Sequence, residues 1–371
     1  MAQKGTLPAE KEILALHREL VSTPSVSGEE AAVQEFLEQW LQANDVRPER
    51  VGDSLLAMTG EGPVVLLNTH YDTVPPCSGW SQDPHEPLVE EGKVTGLGAN
   101  DAKASVAAMS AAFVTIASEG LPVTLALGVA AGEETNGHGT EALLAELEKR
   151  GQKPVAAIVG EPTMLDVAIA QKGLLILELV SNGTACHAAH GERLGAANAI
   201  RRLSRDLVSV ERVDLGEDHD LVGGTSLEPT MIEGGTARNV IPEKASSILD
   251  LRTSPVVTHD ELIERIEKAV RGQVNVISKR LVPRETDRED PIVKAAVEAR
   301  PDAKLFGSAT MSDMVFMEGI PSIKCGPGDT ERSHTPDEYV MESEILDGAR
   351  FYADLIRAYA ARAWDGGEGA A

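Results

Sequence analysis

The amino-acid sequence predicts an α/β protein with a mostly parallel sheet, interrupted by a smaller inserted α+β domain. Two patterns carry this expectation. Up to residue 172, short apolar runs ending in polar residues alternate with segments of helical periodicity. From Lys172-Gly173 to about residue 285 the order becomes strand, helix, two strands, helix, strand, which is the ferredoxin-like split unit. A chain of 371 residues has room for two domains. Their expected bounds are 1–172 with 286–371, and 173–285.

The elements follow in order. Ile13, Leu14, Leu16 and Leu20 give a helix over Lys11 to Leu20. Ser27 precedes Glu29 and Glu30, acids suited to the first turn of a second helix carrying Val33, Phe36, Leu37 and Trp40. Pro63 to Thr69, Val123 to Ala131 and Ala156 to Val159 read as buried strands, and Ala102 to Ala117 as an Ala-rich helix. In the insertion, Leu174 to Val180, Thr230 to Glu233, Ala245 to Arg252 and Val274 to Leu281 read as strands. Gly195 to Val208 and Asp260 to Val270 read as helices. The α/β character returns near Asp290 and ends in a helix from Glu342 to Ala363. The Gly- and Ala-rich tail, Trp364 to Ala371, is expected to be disordered.

Composition narrows the function classes. The formal net charge is -25, from 59 acidic against 34 basic residues, the opposite of a nucleic-acid-binding surface and repelled by an anionic membrane. It solubilises the surface or steers a cationic substrate. Cys77, Cys186 and Cys325 are scattered and odd in number, so no disulfide framework is expected and a reducing, cytoplasmic setting fits. The charged N-terminus lacks the apolar run of a signal peptide, and no stretch approaches the ~18 apolar residues of a membrane span.

Five polar constellations stand where apolar runs end, the position of the ligand crevice in parallel sheets. Asn68-Thr69-His70-Tyr71-Asp72 places His70 and Asp72 two residues apart, on one side of an extended chain. A metal-binding His usually gives its second ring N–H to a carboxylate, which Asp72 could supply, although the segment also reads as a plain polar turn. Asp101, in Gly98-Ala99-Asn100-Asp101, opens the Ala-rich helix and could cap it or bridge two cations. Glu133 and Glu134 follow a buried run; one could bind metal while the other serves as general base, or both could lie in a solvated loop. Glu161 follows another apolar run, and His334 lies in the polar loop Ser333 to Glu338. Two His and three acids without Cys suit a pair of zinc ions and tolerate cobalt or manganese.

In their order and spacing these motifs resemble the family of co-catalytic zinc deacylases and exopeptidases, which includes acetylornithine deacetylase, succinyl-diaminopimelate desuccinylase, aminoacyl-lysine hydrolase of the carrier-protein pathway and glutamate carboxypeptidase. The resemblance runs from His70 to Glu338. It implies a zinc-peptidase-like catalytic domain, two Zn2+ ions, and a ferredoxin-like lid that often forms a homodimer. It assigns His70 and Glu161 to one zinc, Glu134 and His334 to the other, and Asp101 as the bridge. Asp72 becomes the acid behind His70, and Glu133 the general base. In the lid, the family's His eight residues before Gly195 corresponds to His187, which stabilises the oxyanion, usually in the partner subunit; His190 competes for that place. Asn239 corresponds to a residue bordering the substrate, Arg252 to the Arg that binds a substrate carboxylate, and Gly326 to the substrate-pocket loop. Leu97 stands where the family often has Arg, and Ala102-Lys103-Ala104-Ser105 where it usually has Met-Lys-Gly-Gly. The Asn-Asp-Ala form is closer to the acetylornithine and acetylcitrulline deacetylase branch.

The expected activity is metal-dependent hydrolysis of an N-acyl amino acid, with N2-acetyl-L-ornithine, an intermediate of arginine biosynthesis, as the favoured substrate. The alternatives are acetylcitrulline deacetylase, an aminoacyl-carrier-protein lysine or ornithine hydrolase, a desuccinylase or a dipeptidase. A catalytically silent binding homologue is the reading from another class, and the intact Glu133 and ligand set argue against it.

Overall fold

The structure is a computed structural model that describes residues 5–365. The described residues divide into two compact units: residues 5–169, 286–306 and 312–365, and residues 170–285 with 307–311.

The first unit is built on a mixed sheet. Its strand order is Glu49–Val51, Ser54–Thr59, Thr124–Ala130, Val64–His70, Pro154–Val159, Ser322–Lys324 and Val167–Gln171. The four strands from Thr124–Ala130 to Ser322–Lys324 are mutually parallel, with antiparallel neighbours on either side. Every residue of Val64–His70 and Thr124–Ala130 is buried. A sheet covered on both faces explains why these strands read as unbroken apolar runs rather than as alternation. Leu66, Ala126, Ala157 and Val159 pack with Leu143 and Leu147 of the helix His138–Lys149 on one face. On the other, the helix Lys103–Ala117 packs on the sheet and under Glu10–Ser22 and Glu342–Asp365. It is buried on nearly all sides, and Ala side chains allow that close approach.

Three sequence expectations change here. Glu29 and Glu30 do not enter the first turn of the second helix, which runs Ala31–Ala43 with Glu30 at its N-cap and no side-chain cap bond, and the Ser27 hydroxyl donates to Asp72 Oδ2 at 2.7 Å. The Lys103–Ala117 helix starts after Ala102 with no side-chain cap, so Asp101 is free of the capping role. The last helix runs to Asp365 and includes Trp364, expected in the tail; residues 366–371 lie outside the described residues. Several elements escaped sequence reading, among them the strands Ser54–Thr59 and Val167–Gln171 and the helix His138–Lys149. The three-stranded sheet Tyr339–Met341, Lys93–Thr95, Leu88–Glu90 is too short to show periodicity.

The second unit has the antiparallel strand order Ser226–Gly234, Lys244–Thr253, Gly173–Asn182, Gln273–Leu281, with helices Ala199–Val210 and His259–Ala269. Numbered within the unit the order is 2-3-1-4, as in the ferredoxin-like arrangement. The inward residues Leu175, Leu177, Leu179, Leu249 and Leu251 pack on Leu203, Leu262 and Ile266 of the helices. The first helix starts at Ala199 rather than near Gly195, because the Asn198 side chain accepts the Arg201 N–H as an N-cap. Among the described residues, no helix is long and apolar enough to cross a membrane.

Candidate metal centre

Side chains from five loops of the first unit meet at the C-terminal ends of the parallel strands. Val64–His70 ends on His70, and Thr124–Ala130 leads into Gly132-Glu133-Glu134. Gly132 adopts φ +70, where glycine carries no steric penalty, and its carbonyl accepts the N–H groups of Asn136 and Gly137 at 3.0 and 2.8 Å. The two glutamates are thereby held in a turn. Glu161 follows Pro154–Val159, and Asp101 precedes the Lys103–Ala117 helix across a cis Asp101–Ala102 peptide. His334 sits at φ 58, an uncommon conformation for a residue with a Cβ, in a loop tied by the Thr335 hydroxyl donating to the Arg332 carbonyl at 2.8 Å.

Asp101 turns its two oxygens to two different histidines. Oδ1 lies 3.3 Å from His70 Nε2, and Oδ2 lies 3.8 Å from His334 Nε2. Each histidine has a glutamate beside it: His70 Nε2 is 3.8 Å from Glu161 Oε1, and His334 Nε2 is 2.9 Å from Glu134 Oε1. Glu133 joins the His70 side: atoms of His70, Glu133 and Glu161 lie within 4.8 Å of one another, as do atoms of His70, Asp101 and Glu134.

Asp72 stands behind His70. Its Oδ1 is 3.4 Å from His70 Nδ1 and its backbone carbonyl 3.1 Å. The carboxylate also accepts the Glu133 and Glu134 N–H groups. Burial would raise the Asp72 carboxyl, but the His70 ring, the Ser27 hydroxyl and the Glu134 N–H outweigh it and hold it below its usual range.

Two carboxyls of the site shift the other way. Burial, then the neighbouring Asp101 charge, pushes Glu161 up to about 8, and burial among other acids lifts Glu133 well above its usual range. His70 moves up too: burial pulls it down, but hydrogen bonds to Asp101 and Asp72 prevail. So much negative charge in a desolvated cleft calls for cations. Buried Lys324, lowered by that burial, faces Glu161, Glu133 and Asp101.

These residues fit a pair of divalent cations. His70 Nε2 is buried and makes no well-aligned hydrogen bond, although it is aimed at the Asp101 and Glu161 carboxylates. Two ligand atoms ~2.0–2.1 Å from one tetrahedral zinc lie about 3.3 Å apart, and the His–carboxylate separations of 2.9 to 3.8 Å bracket that value. Asp101 could give one oxygen to each ion.

Residues without a sequence-assigned role complete the frame. Glu338 Oε1 accepts the Asn100 and Asp101 N–H groups, both at 2.9 Å. Asn100 Nδ2 donates to the Asp329 carbonyl and to Ser333 Oγ, tying the Asp101 and His334 loops together. Beneath His70, buried Asp313 accepts from Thr140 Oγ1 at 2.5 Å and Asn68 Nδ2 at 3.1 Å. Glu338 stood in a quoted motif; Asp313 gave no signal, since its partners are 173 and 245 residues away. Gly326 is buried with its Cα against the Glu161 carbonyl; its N–H donates to Thr163 Oγ1.

The remaining assigned residues lie in the second unit. His187 and Asn239 are brought together: the short strand Cys186–His187 pairs with Val240–Ile241, and the Ala188 N–H donates to the Asn239 carbonyl at 2.8 Å. His187 is exposed, with its ring 5.6 Å from that of His190. The Arg252 guanidinium holds Asp250 with two bonds, from Nε at 2.9 Å and Nη2 at 3.3 Å.

The chain's similarity to known proteins agrees with this site. The model of Peptidase family M20/M25/M40 matches residues 66–358. A succinyl-diaminopimelate desuccinylase of a Methylobacterium species is 31% identical over 389 residues, covering 95% of this chain and 97% of that protein. A probable carboxypeptidase of Aspergillus fumigatus is 29% identical, covering 93% and 86%. The crystal structure of aminopeptidase PepT from Bacillus cereus superposes with a TM-score of 0.76 at 18% identity, covering 95% of this chain and 99% of that one.

Proposed function

The chain belongs to peptidase family M20/M25/M40 and is a metallo-amidohydrolase, and on that premise we propose that it cleaves the amide bond of an N-acylated amino acid. The observation that carries the proposal is the placement of Asp101 between two His–Glu pairs with Glu133 alongside. We assign His70 and Glu161 to one zinc, Glu134 and His334 to the other, and Asp101 to both. When bound, the two cations neutralise the carboxylates and polarise the scissile carbonyl.

The chain's own groups do the rest. Glu133 takes a proton from the attacking water as the C–O bond forms, holds it on its carboxylate, and delivers it to the nitrogen as the C–N bond breaks. The products are a carboxylate and an amine. Asp72 keeps the His70 ring in one orientation. We assign the second unit as a lid and dimerisation domain. There His187 stabilises the oxyanion from a partner subunit, Asn239 borders the substrate and Arg252 holds its α-carboxylate, roles supported by the spacing of their motifs. We assign Gly326 to the substrate-pocket loop, where the lack of a side chain lets the backbone pack closely against the Glu161 carbonyl. A reducing, cytoplasmic setting is the reading of the three unpaired cysteines.

N2-acetyl-L-ornithine is the substrate we favour, on the Asn100-Asp101-Ala102 motif and the -25 charge, which suits a cationic side chain. A succinylated diamino acid is the second reading, favoured by the similarity to a desuccinylase. The test is kcat/KM for N2-acetylornithine, acetylcitrulline, succinyl-diaminopimelate and simple dipeptides, with the enzyme stripped of metal and reloaded with zinc, cobalt or manganese. A preference above about tenfold for a succinylated substrate or a dipeptide, ~1.4 kcal/mol in the transition state, replaces acetylornithine. Full activity without metal overturns the two-cation assignment.

A further inference from the structure

The second unit carries a cavity of about 1040 Å³. It opens between the helix Ala199–Val210 and the segment that joins His259–Ala269 to the strand Gln273–Leu281. Arg202, Arg205 and Arg271 line it, with Asn182, Ser209 and Gln273 adding neutral polar groups. Arg202, Arg205 and Ser209 recur at three- and four-residue steps, so they share one helix face.

The acid beside them, Asp206, offsets one of these three charges and forms an ion pair with none of them. Asp206 is buried, and its carboxylate accepts the Arg271 N–H at 3.0 Å, the Gly272 N–H at 2.9 Å and the Ser181 hydroxyl at 3.2 Å. Arg202 donates from Nη1 to the Asn182 carbonyl, an uncharged acceptor. Among the described residues, the guanidinium groups of Arg205 and Arg271 have no hydrogen-bond or ion-pair partner. Other arginines of the chain are ion-paired, among them Arg150 with Glu49 and Glu146, Arg332 with Glu344, and Arg357 with Glu119.

The charge around the cavity is therefore local. Between residues 170 and 285 the sequence has 15 Lys and Arg against 17 Asp and Glu, nearly neutral in a chain of net charge -25. In an acidic protein, three arginines lining one cavity beside a single carboxylate leave net positive charge there. A guanidinium presents a planar fork that matches the oxygens of phosphate or carboxylate.

We infer that this cavity binds a small dianion, a phosphate monoester or a dicarboxylate, at a site made entirely by the second unit and separate from the metal-ligating residues. The ligand's oxygens replace water around Arg205 and Arg271, with Arg202, Ser209 and Gln273 at the rim.

The test is isothermal titration of the metal-loaded protein at low ionic strength with glycerol 2-phosphate, inorganic phosphate and succinate, using sodium chloride as the screening control. The expected result is saturable binding of at least one dianion and none of chloride. Binding should weaken at least tenfold in the Arg205→Gln/Arg271→Gln double variant, with its melting temperature and amide hydrolysis unchanged. Tighter binding of the two phosphates identifies phosphate as the natural group, and tighter binding of succinate identifies a dicarboxylate. Two results overturn the inference: no saturable binding of any dianion, or undiminished binding by the double variant, which would place the anion at the metal centre. Because both substituted side chains are exposed and make no bonds, loss of folding in this variant is not expected. Arg205→Lys/Arg271→Lys, which keeps the charge and removes the fork, should recover part of the affinity.

Discussion

Asp72 Oδ1 accepts the Glu133 N–H at 3.1 Å and stands 3.4 Å from His70 Nδ1. One carboxylate thus fixes both a candidate metal ligand and the residue assigned as general base, which lie 63 positions apart in sequence. Its second oxygen accepts the Glu134 N–H and the Ser27 hydroxyl, so every neighbour of the carboxylate is a donor.

Replacing Asp72 by Asn puts an NH2 group where only acceptors fit. Whichever way the amide turns, it faces a backbone N–H, and a buried unsatisfied group costs ~1–3 kcal/mol. The expected outcome is a 10–100-fold loss of metal affinity or activity, the usual effect of removing a ligand's supporting partner. Metal titration followed by fluorescence, together with kcat, checks this. Wild-type values for both would remove Asp72 from the positioning role.

Glu133 is close enough to His70 and Glu161 to be a ligand as well as a base. Glu133→Gln separates the two. As base, its loss should leave two metal ions per chain and lower kcat by ~10²–10⁴-fold. As ligand, its loss should lower the metal content. Mixing this variant with His187→Ala should restore part of the activity through heterodimers. No recovery under demonstrated subunit exchange would mean that His187 does not act across subunits.

Much of this site was legible because three of the candidate ligands follow apolar runs, and buried parallel strands announce themselves as such runs. His70, Glu134 and Glu161 follow strands whose residues are almost all buried. The supporting groups were less visible. Glu338 acts through backbone N–H groups of Asn100 and Asp101, and that contact exists only because Tyr339–Met341 pairs with Lys93–Thr95. Ser27 gave no sign of its role, because its acceptor, Asp72, arrives from 45 residues away. Local chemistry is written in the sequence at each position, while the partner of a buried polar group is set by topology.

His17 gives a pH dependence. It is buried, with Nε2 2.8 Å from the Ala99 carbonyl, and burial lowers it from 6.5 to about 4. A native histidine that resists protonation is stabilising while the unfolded chain is also neutral. That contribution is lost as pH falls from 6.5 towards 4, because the unfolded state then binds the proton first. At 1.36 kcal/mol per pKa unit the loss is about 3 kcal/mol. Denaturant melts of wild type and His17→Gln at pH 7.5 and pH 5 isolate the effect, since other groups titrate in both proteins. The wild type's stability relative to the variant should shrink on acidification; a constant difference would mean that His17 titrates normally in the fold.

Arg252 bears on the substrate. Its guanidinium is half-exposed, and two of its five N–H groups already bind Asp250 in a fork. That pair leaves the remaining N–H groups free and limits the rotation of the head. A carboxylate held by them gains charge-assisted bonds worth ~1.5–3 kcal/mol, about 10–100-fold in kcat/KM. Arg252→Lys keeps the charge but cannot fill both roles, and its loss should fall in that range for N2-acetylornithine. The same substitution should cost little for the α-carboxamide analogue, which has no charge to bind. Asp250→Asn is the control for orientation: an exposed ion pair is worth ~0–1 kcal/mol, so its effect should stay below about fivefold. If Arg252→Lys lowers kcat/KM equally for the acid and the amide, Arg252 does not read the α-carboxylate, and the group that does must be sought among the other cations of the second unit, Arg238 first.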